Sequence, residues 1–327
     1  MSAVLNAAIV GLGRWGQNLV NAVQGKSAHI RFVRAVVRNP EPLRDYASKH
    51  NIELTTDFAA TLADPKIQAI VLATPHSLHA EQIIAVAAAG KPVYCEKPLT
   101  LKRADAQRAV DACKKAGVVL AVGHDKRFWP SMQALARIVA GGELGEILHI
   151  EGHNSNETSR TSFASWRASP EESPGGGMTG TGVHMVDAFV GLVGPVKRVQ
   201  AQLLSRRPPP DVLDTVAILF EFANGVSGTM STIRATPQYW RAHVFGTKGS
   251  AEAIGATELV LRKTGAAPAR TSFDAADALR AELEAFAIAA TGGAPYPITP
   301  QQMVDTVAAF EAIVQSMESG APVNLAP

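Results

Sequence analysis

Two segments of the sequence place titratable side chains where they could move protons. In the first, Glu96, Lys97 and Pro98 directly follow the apolar run 92–95. A charged pair at the carboxyl end of a buried strand lies where open α/β sheets bind their ligands. A lysine at such a position, partly desolvated and close to a positively charged ring of a ligand, has a lowered pKa and can exchange protons near neutral pH. A solvated charge pair at the end of a strand would give the same pattern.

The second segment, 166–187, is a glycine-rich run that ends in His184 and Asp187. Glycine at this density permits close approach of the backbone to a ligand or to another chain. In a helix over 183–193, His184 and Asp187 share one narrow polar face. This pairing makes His184 a candidate acid–base residue, although a histidine on a helix is more often a core residue. The spacing could also indicate a metal ligand pair, but no third ligand is clustered with it, and we predict no metal.

The scaffold for these side chains begins with the first motif of the chain. An apolar strand over 5–10 leads into GLGRWG at 11–16, and a helical segment follows. Strand, G-x-G-x-x-G and helix, in this order, form the dinucleotide-binding fingerprint. The glycines permit a tight turn, an approach of the pyrophosphate and close packing of the helix, whose amino terminus faces the phosphates. The predicted cofactor contacts in this loop are Gly11, Gly13, Arg14, Trp15 and Gly16.

Arg38, which follows the second predicted strand, bears on the choice of dinucleotide. An acidic residue about 20 positions past the glycines commonly binds the ribose 2′-OH. Arginine at this place would accommodate a 2′-phosphate instead. We therefore predict NADP, with NAD as the alternative, while an Arg38 that merely points to solvent would leave the choice open.

Strand and helix patterns alternate up to residue 122 and predict a doubly wound parallel sheet. Residues that follow the later strands reach the edge of the sheet where the cofactor is expected. The further predicted cofactor contacts are Thr74, Pro75, His76, His79, Glu96 and Lys97, although His76 and His79 could instead be a loop cap and a helix-start residue.

Beyond residue 123, strand-like runs outnumber helices. They cover 146–151, 196–204, 215–222, 226–233 and 241–245, with an Asn-Gly hairpin turn at 224–225. The predicted fold class is therefore α/β: a Rossmann domain over 1–122, then an α+β domain over 123–327 with a large, mostly antiparallel open sheet.

Composition narrows the class of protein. The chain has 327 residues and a net charge of +2, which shows no electrostatic footprint for nucleic acid. No apolar run is long enough for a membrane span, and the amino terminus does not read as a signal peptide. Two cysteines argue against a disulfide framework, and we predict a cytoplasmic protein.

In order and spacing, these motifs resemble the Gfo/Idh/MocA family of NAD(P)-dependent oxidoreductases over essentially the full length. The matching pieces are GLGRWG at 11–16, ATPHSLHAE at 73–81, CEKPL at 95–99, RFWP at 127–130 and WR…SPGGG…GVHMVD at 166–187. The resemblance implies a Rossmann domain and a substrate-binding domain whose open sheet often forms the oligomer interface. We therefore expect a homodimer or homotetramer.

The resemblance also implies roles for individual residues. The lysine of the EKP motif, here Lys97, orients substrate and assists proton transfer, and the histidine of the second domain, here His184, acts as acid or base. Many dehydrogenases of the family carry an aspartate four residues before that histidine, where this chain has Gly180. Asp187 or another group would have to supply that carboxylate. The predicted substrate contacts are Asp187, Arg127, Trp166 and Arg167, with Arg160 as a further cation for an acidic substrate. Solvated or structural roles would fit Arg127, Arg160 and Arg167 equally well.

The predicted reaction is hydride transfer between nicotinamide and a secondary alcohol or carbonyl of a sugar, polyol or related hydroxy compound. Two alternatives stay open. A nicotinamide-dependent glycosidase of the same fold would oxidise its substrate transiently and release no net NAD(P)H. A dinucleotide-binding sensor without turnover is the other alternative, and Gly180 favours it.

Overall fold

The computed structural model describes residues 4–156, 166, 169–208, 211, 213–234 and 236–325. Its strands are β1 Leu5–Val10, β2 Ile30–Val36, β3 Glu53–Thr55, β4 Ala69–Leu72, β5 Val93–Glu96, β6 Leu120–Gly123, β7 Ile147–Asn156, β8 Val196–Leu204, β9 Thr215–Phe222, β10 Ser227–Arg234, β11 Tyr239–Gly246, β12 Gly249–Ile254, β13 Glu258–Lys263, β14 Ala269–Ser272 and β15 Val323–Asn324. Its α-helices are α1 Arg14–Val23, α2 Arg44–His50, α3 Phe58–Ala63, α4 His79–Ala88, α5 Arg103–Ala116, α6 Pro130–Ala140, α7 Val183–Val193, α8 Ala278–Ala290 and α9 Pro300–Ser319.

The chain forms two compact units. The first comprises Met1–Thr100, Ala104–Asp125 and Asp277–Pro300, and the second comprises Leu101–Arg103, Lys126–Ala276 and Gln301–Pro327. The segment 277–300 therefore returns to the first unit, a return that the division predicted at residues 122 and 123 does not contain. Helix α8 of this segment is fixed to α1 by Arg280, whose Nε donates to the carbonyl of Ala22 at 2.9 Å.

The first unit contains the predicted doubly wound parallel sheet, which is confirmed. Its six strands lie in the order β3-β2-β1-β4-β5-β6. Every residue of β4, β5 and β6 is buried, as expected for parallel strands that are covered on both faces. Strand β1 pairs with both β2 and β4, so the strand order reverses beside β1. Ligands of open α/β sheets bind at the carboxyl ends of the strands at such a reversal.

The second unit contains the predicted large sheet, which is mostly antiparallel as expected. Nine strands lie in the order β14-β13-β12-β11-β7-β10-β9-β8-β15. Only the pairing of β7 with β10 is parallel among the described ladders of this sheet. The predicted hairpin joins β9 and β10, with Gly225 at φ +86° in its turn.

Helix α7 packs on the inner face of this sheet. Gly152 of β7 makes the close approach possible, because a Cβ atom there would lie 2.7 Å from side-chain atoms of Met185 and Phe189. The ring of Phe189 packs in turn against Phe220 and Phe222 of β9, with centroids 5.5 and 6.2 Å away. The apolar side of α7 is thereby fixed to the sheet.

None of the helices in the described part of the chain has the length and apolar composition that a membrane crossing would need.

Candidate functional site

The glycine loop after β1 has the backbone geometry that the fingerprint predicts. Gly11 adopts φ +93°, and a Cβ atom there would overlap the carbonyl oxygen of Ala73. A Cβ atom at Gly16 would overlap the carbonyl oxygen of Gly11, so the turn and the first helix can pack only with glycine at both positions. These two glycines bring the loops after β1 and β4 into contact at the reversal of strand order.

Gly13 faces open space, because no described atom lies within 4 Å of a Cβ atom placed there. Helix α1 begins at the next residue, Arg14, which is exposed, while Trp15 is half-buried. A bare backbone at the amino terminus of a helix is a site where phosphate oxygens can approach N–H groups. The loop therefore fits the pyrophosphate of a dinucleotide.

Arg38 is exposed and lies two residues beyond the end of β2. The nearest following acidic residue, Glu41, is bound by Arg44, whose Nε and Nη2 donate to its carboxylate at 2.8 and 2.5 Å. The guanidinium of Arg44 lowers the pKa of Glu41 through these hydrogen bonds. The carboxylate of Glu41 is thus bound by Arg44, and Arg38 follows the end of β2 with an exposed side chain.

His79 joins the loops that follow β4 and β5. Its ring is fully buried, with Nδ1 2.9 Å from the carbonyl oxygen of Pro98 and Nε2 3.1 Å from that of Thr74. Carbonyl oxygens only accept, so both contacts are hydrogen bonds only when the ring carries two protons. Thr74 also donates from Oγ1 to Gln82 at 2.6 Å, and His76 is 5% exposed. The contact of these residues and of Pro75 with the cofactor stays a prediction.

The EKP motif lies at the carboxyl end of β5, where the sequence predicted it. Glu96 is 6% exposed, and its Oε2 accepts a hydrogen bond of 3.3 Å from the backbone N–H of Lys97. Burial outweighs the opposing effects of Lys97 and the nearby indole of Trp15 and raises the pKa of Glu96 to about 7. The indole N–H itself has no hydrogen-bond partner among the described residues. Lys97 is half-buried.

In the second unit, a buried ion pair fixes the glycine run. Nε of Arg234 donates to Oδ1 of Asp214 at 2.8 Å, and Oδ2 of Asp214 accepts from the backbone N–H of Gly177 at 3.0 Å. Gly176 adopts φ +57°, and a Cβ atom there would overlap the Asp214 carboxylate. The glycine run is therefore held against the ends of β9 and β10.

A π-helical turn, Met178–Gly182, connects the glycine run to α7. Nδ2 of Asn154 donates to the carbonyl of Thr181 at 3.0 Å and ties this turn to β7. Such segments frequently occur at functional sites. His184, in the first turn of α7, is 8% exposed. Gly180 is exposed, and a Cβ atom there would meet open space.

Asp187 and Arg127 are bound to each other. Nε of Arg127 donates to Oδ2 of Asp187 at 2.6 Å, and Nη2 donates to Oδ1 at 3.1 Å and to the backbone carbonyl of Asp187 at 2.8 Å. The Asp187 side chain is 1% exposed. The structure thus gives this carboxylate an arginine partner, and the predicted contact of either residue with substrate stays a prediction.

The other predicted substrate contacts are placed only in part. Trp166 is half-buried, and its carbonyl accepts from the N–H of Ser169 at 3.3 Å. Arg160 and Arg167 lie outside the described residues. No group of three or more His, Cys, Asp or Glu side chains that could hold a metal ion occurs within the described ranges.

Asp214, Arg234 and Asn154 position the glycine run and α7, and sequence reasoning missed them. Each lies on or beside a strand far along the chain from its partner. No local spacing marks them, because the register of the sheet creates their contacts. The close packing of Gly191, in α7, against the guanidinium of Arg127 was not predicted either, although a glycine inside a buried apolar helix is a signal of close approach.

Comparison with known proteins agrees with this architecture. Residues 5–124 match the oxidoreductase family with an NAD-binding Rossmann fold, and residues 132–252 match the GFO/IDH/MocA C-terminal domain. The D-xylose 1-dehydrogenase (NADP(+)) 2 of Haloferax volcanii is 31% identical over 285 residues, which are 82% of this chain and 83% of that protein.

Solved structures resemble the whole chain. The complex of levoglucosan dehydrogenase with NADH and levoglucosan is 25% identical, with a TM-score of 0.87, and the match covers 99% of this chain and 100% of that one. An oxidoreductase domain protein from Kribbella flavida shares the fold at 20% identity, with a TM-score of 0.89 and full coverage of both chains (100% each). The chain therefore belongs to the GFO/IDH/MocA family of NAD(P)-dependent oxidoreductases, with an NAD-binding Rossmann domain and a GFO/IDH/MocA C-terminal domain.

Proposed function

We propose that this protein is an NADP-preferring dehydrogenase that acts on a secondary alcohol or carbonyl of a sugar, polyol or related hydroxy compound. The observation that carries the cofactor preference is Arg38, exposed just beyond β2 while the following carboxylate, Glu41, is bound by Arg44. An arginine at this position can bind a 2′-phosphate with paired hydrogen bonds. The dehydrogenases of D-xylose and of levoglucosan among the relatives support a carbohydrate-like substrate.

The proposed chemistry divides between the two units of the chain. Bound nicotinamide supplies the hydride acceptor or donor. His184 or Lys97 takes the hydroxyl proton of the substrate, and the charge of Lys97 stabilises the developing alkoxide. Arg127 fixes Asp187 and with it the face of α7 that carries His184. Arg127, Asp187, Trp166 and Arg167 are the proposed substrate contacts.

A titration with NADPH and NADH tests the cofactor assignment. Charge-assisted hydrogen bonds to a 2′-phosphate are worth about 1.5–3 kcal/mol, so Arg38→Asp should weaken NADPH binding by about tenfold to a hundredfold and favour NADH. Arg31→Asp is the matched control, because Arg31 is exposed near the opposite end of β2 and donates to Asn6 instead. Equal binding of both cofactors, unchanged by Arg38→Asp, would remove the NADP preference and keep the dehydrogenase.

Turnover with a panel of sugars and polyols separates the three functions. A dehydrogenase converts NADP⁺ to NADPH in proportion to product, and Lys97→Ala and His184→Ala abolish this conversion. His184→Ala should leave cofactor binding intact, because His184 is not a predicted cofactor contact. A glycosidase consumes substrate without net NADPH. A sensor binds cofactor and shows no turnover in any variant.

We further propose self-association, as a homodimer or homotetramer, through the outer face of the nine-stranded sheet. Leu219 and Tyr239 lie on this face and are 57% and 45% exposed. Charged groups on the same face are already paired, as Glu151 with Arg241 and Glu252 with Arg262. The first of these pairs lines a cavity of about 520 Å³. Apolar side chains among internally paired charges suit contact with an identical surface.

Both cysteines are free thiols, which supports the proposed cytoplasmic location.

A further inference from the structure

A chain of three polar side chains is buried in the first unit. Oη of Tyr94 lies 2.7 Å from Oε1 of Glu282 and 3.3 Å from Oε1 of Glu96. Tyr94 and Glu282 are fully buried, and Glu96 is 6% exposed. The ring of Tyr94 also packs on Phe286, which lies one turn beyond Glu282 on α8. Two carboxyl groups from distant parts of the sequence thus share one phenol.

The two contacts between Tyr94 and the carboxyl groups need one more proton than the phenol itself supplies. The phenol has a single hydrogen for two carboxyl contacts, and we assign it to the shorter one, to Glu282. The longer contact to Glu96 is then a hydrogen bond only if the Glu96 carboxyl itself carries a proton and donates it to the phenol oxygen. Two ionised carboxylates in one buried site repel each other, so one of them keeps its proton to higher pH.

The surroundings of Glu96 agree with this arrangement. Burial, with a smaller contribution from the charge of Asp125, outweighs the opposing effects of Lys97 and the indole of Trp15 and raises the pKa of Glu96 to about 7. Burial, followed by the charge of Glu282, keeps the pKa of Tyr94 well above its usual value, so the phenol stays protonated.

Gly123 shows that the chain is closely packed. It pairs with Glu96 across β5 and β6, and a Cβ atom there would lie 2.5 Å from Oη of Tyr94 and 2.9 Å from Oε1 of Glu96. A side chain at position 123 would therefore displace the phenol or the carboxyl. The absence of a side chain at this position lets strand β6 enclose the polar chain against α8.

We propose that Tyr94 and Glu282 are positioning residues that hold the Glu96 carboxyl in its protonated form beside Lys97. This inference rests on the proposed dehydrogenase function, in which Lys97 exchanges a proton with substrate. An ionised Glu96 would stabilise the ammonium form of Lys97, whereas a neutral Glu96 leaves Lys97 free to release its proton more readily. The buried chain from α8 thereby sets the acid–base behaviour of the EKP motif.

Infrared spectroscopy of the full-length protein tests this without any substrate. The C=O stretch of a protonated carboxyl group is followed as the pH rises, and the band of Glu96 is identified by its loss in Glu96→Gln. Glu282→Gln removes the neighbouring negative charge, so the midpoint at which the band disappears should fall by about one pH unit. Glu284→Gln, a half-buried residue on the same helix outside the chain, should leave the midpoint unchanged.

Tyr94→Phe keeps the ring that packs on Phe286 and removes only the hydroxyl group. In this background Glu282→Gln should shift the midpoint less, because the bridge between the carboxyl groups is gone. The proposal is overturned if no protonated band of Glu96 appears, or if Glu282→Gln leaves its midpoint in place. Thermal unfolding shows whether Glu282→Gln folds. If it does not, the test is made with Tyr94→Phe, which removes the hydroxyl group between the two carboxyl groups.

Turnover gives the second readout and separates this inference from the proposed function. With an active substrate, the pH profile of kcat for Glu282→Gln should move in the same direction as the infrared midpoint. An infrared shift with an unmoved pH profile overturns the link to Lys97. If the infrared midpoint shifts but the protein turns over no substrate, the proposed dehydrogenase function is disproved. The role of Tyr94 and Glu282 in setting the behaviour of Lys97 is then disproved with it, whereas the protonation of Glu96 is not.

Discussion

Gly191 lies against the guanidinium of Arg127, so closely that a Cβ atom at Gly191 would overlap Nη1 and Cζ of the arginine. The guanidinium cannot move aside without leaving Asp187, to which it donates at 2.6 Å and 3.1 Å. Asp187 is 1% exposed, so loss of Arg127 takes a cationic partner away from a carboxylate in the interior. The ion pair between Arg127 and Asp187, one turn earlier in α7, therefore requires a glycine at position 191.

Gly191→Ala should accordingly destabilise the protein far more than an ordinary glycine-to-alanine change in a helix. We expect a loss of about 3–5 kcal/mol in the free energy of unfolding, the cost of breaking a buried pair. Urea unfolding measures it. Arg127→Ala should cost a similar amount, and the double variant should cost much less than the sum, because both changes break the same pair.

The matched control is Gly180→Ala, since a Cβ atom at Gly180 enters open space and the backbone there needs no positive φ. Its unfolding free energy should stay within about 1 kcal/mol of the original protein. Equal losses for Gly191→Ala and Gly180→Ala, or fully additive losses in the double variant, would contradict the role of Gly191.

Gly180→Asp tests whether the missing family carboxylate limits catalysis. The position is exposed and has room for a side chain, so the variant should fold normally. A carboxylate one turn before His184 should raise kcat on sugar or polyol substrates by about tenfold or more, the lower range of general acid–base effects. Gly180→Asn has the same shape without the charge. Matching rates for the Asp and Asn variants would show that no carboxylate is needed at this position.

The first unit could be predicted from the sequence because its information is local. Strand β4 is a continuous apolar run, and all of it is buried. The glycine loop is one contiguous motif, and its predicted turn and close approaches are present at Gly11 and Gly16. In a parallel sheet that is covered on both faces, each strand is a continuous run of apolar residues, so each strand can be recognised by itself.

The second unit was less predictable because its polar residues are buried by pairing. Strands β12 to β14 were missed, and Glu252 of β12 shows why: it is 7% exposed yet charged, and Arg262 of β13 donates to it at 2.8 Å. Because such pairs put charged residues at buried positions, the alternation of apolar and polar residues no longer marks the strand. The Asp214 and Arg234 pair and the return of α8 depend likewise on register and packing, which no short window contains.

His243 predicts a loss of stability in acid. Its ring is 7% exposed and stacks on Phe245 at 3.9 Å, and its Nε2 has no hydrogen-bond partner among the described residues. Burial lowers its pKa from 6.5 to about 4, against the effect of Glu252 and with the help of Arg262. Between these two pH values the unfolded chain binds a proton that the folded chain does not, so stability falls as the pH decreases through this window.

The expected loss attributable to His243 is about 2–3 kcal/mol between pH 6.5 and pH 4. Urea unfolding at a series of pH values measures it, and His243→Gln should flatten the decline by that amount. His29→Gln is the control, since His29 is exposed. A decline as steep in His243→Gln as in the original protein would contradict the assignment.

Leu219 tests the proposed interface on the outer face of the nine-stranded sheet. It lies in a strand whose alternate residues, such as Ile218 and Phe220, are buried, so the fold itself does not need an apolar side chain at this position. At an interface between two copies, however, Leu219→Glu would bury a charge without a partner, which costs several kcal/mol. Light scattering should therefore give the monomer mass of 34.5 kDa for Leu219→Glu and a multiple of it for the original protein. Leu78→Glu changes a leucine of similar exposure, 46%, in the first unit and should leave the oligomer intact. An original protein that is monomeric at all concentrations, or an oligomer that survives Leu219→Glu, would remove this face from the assembly.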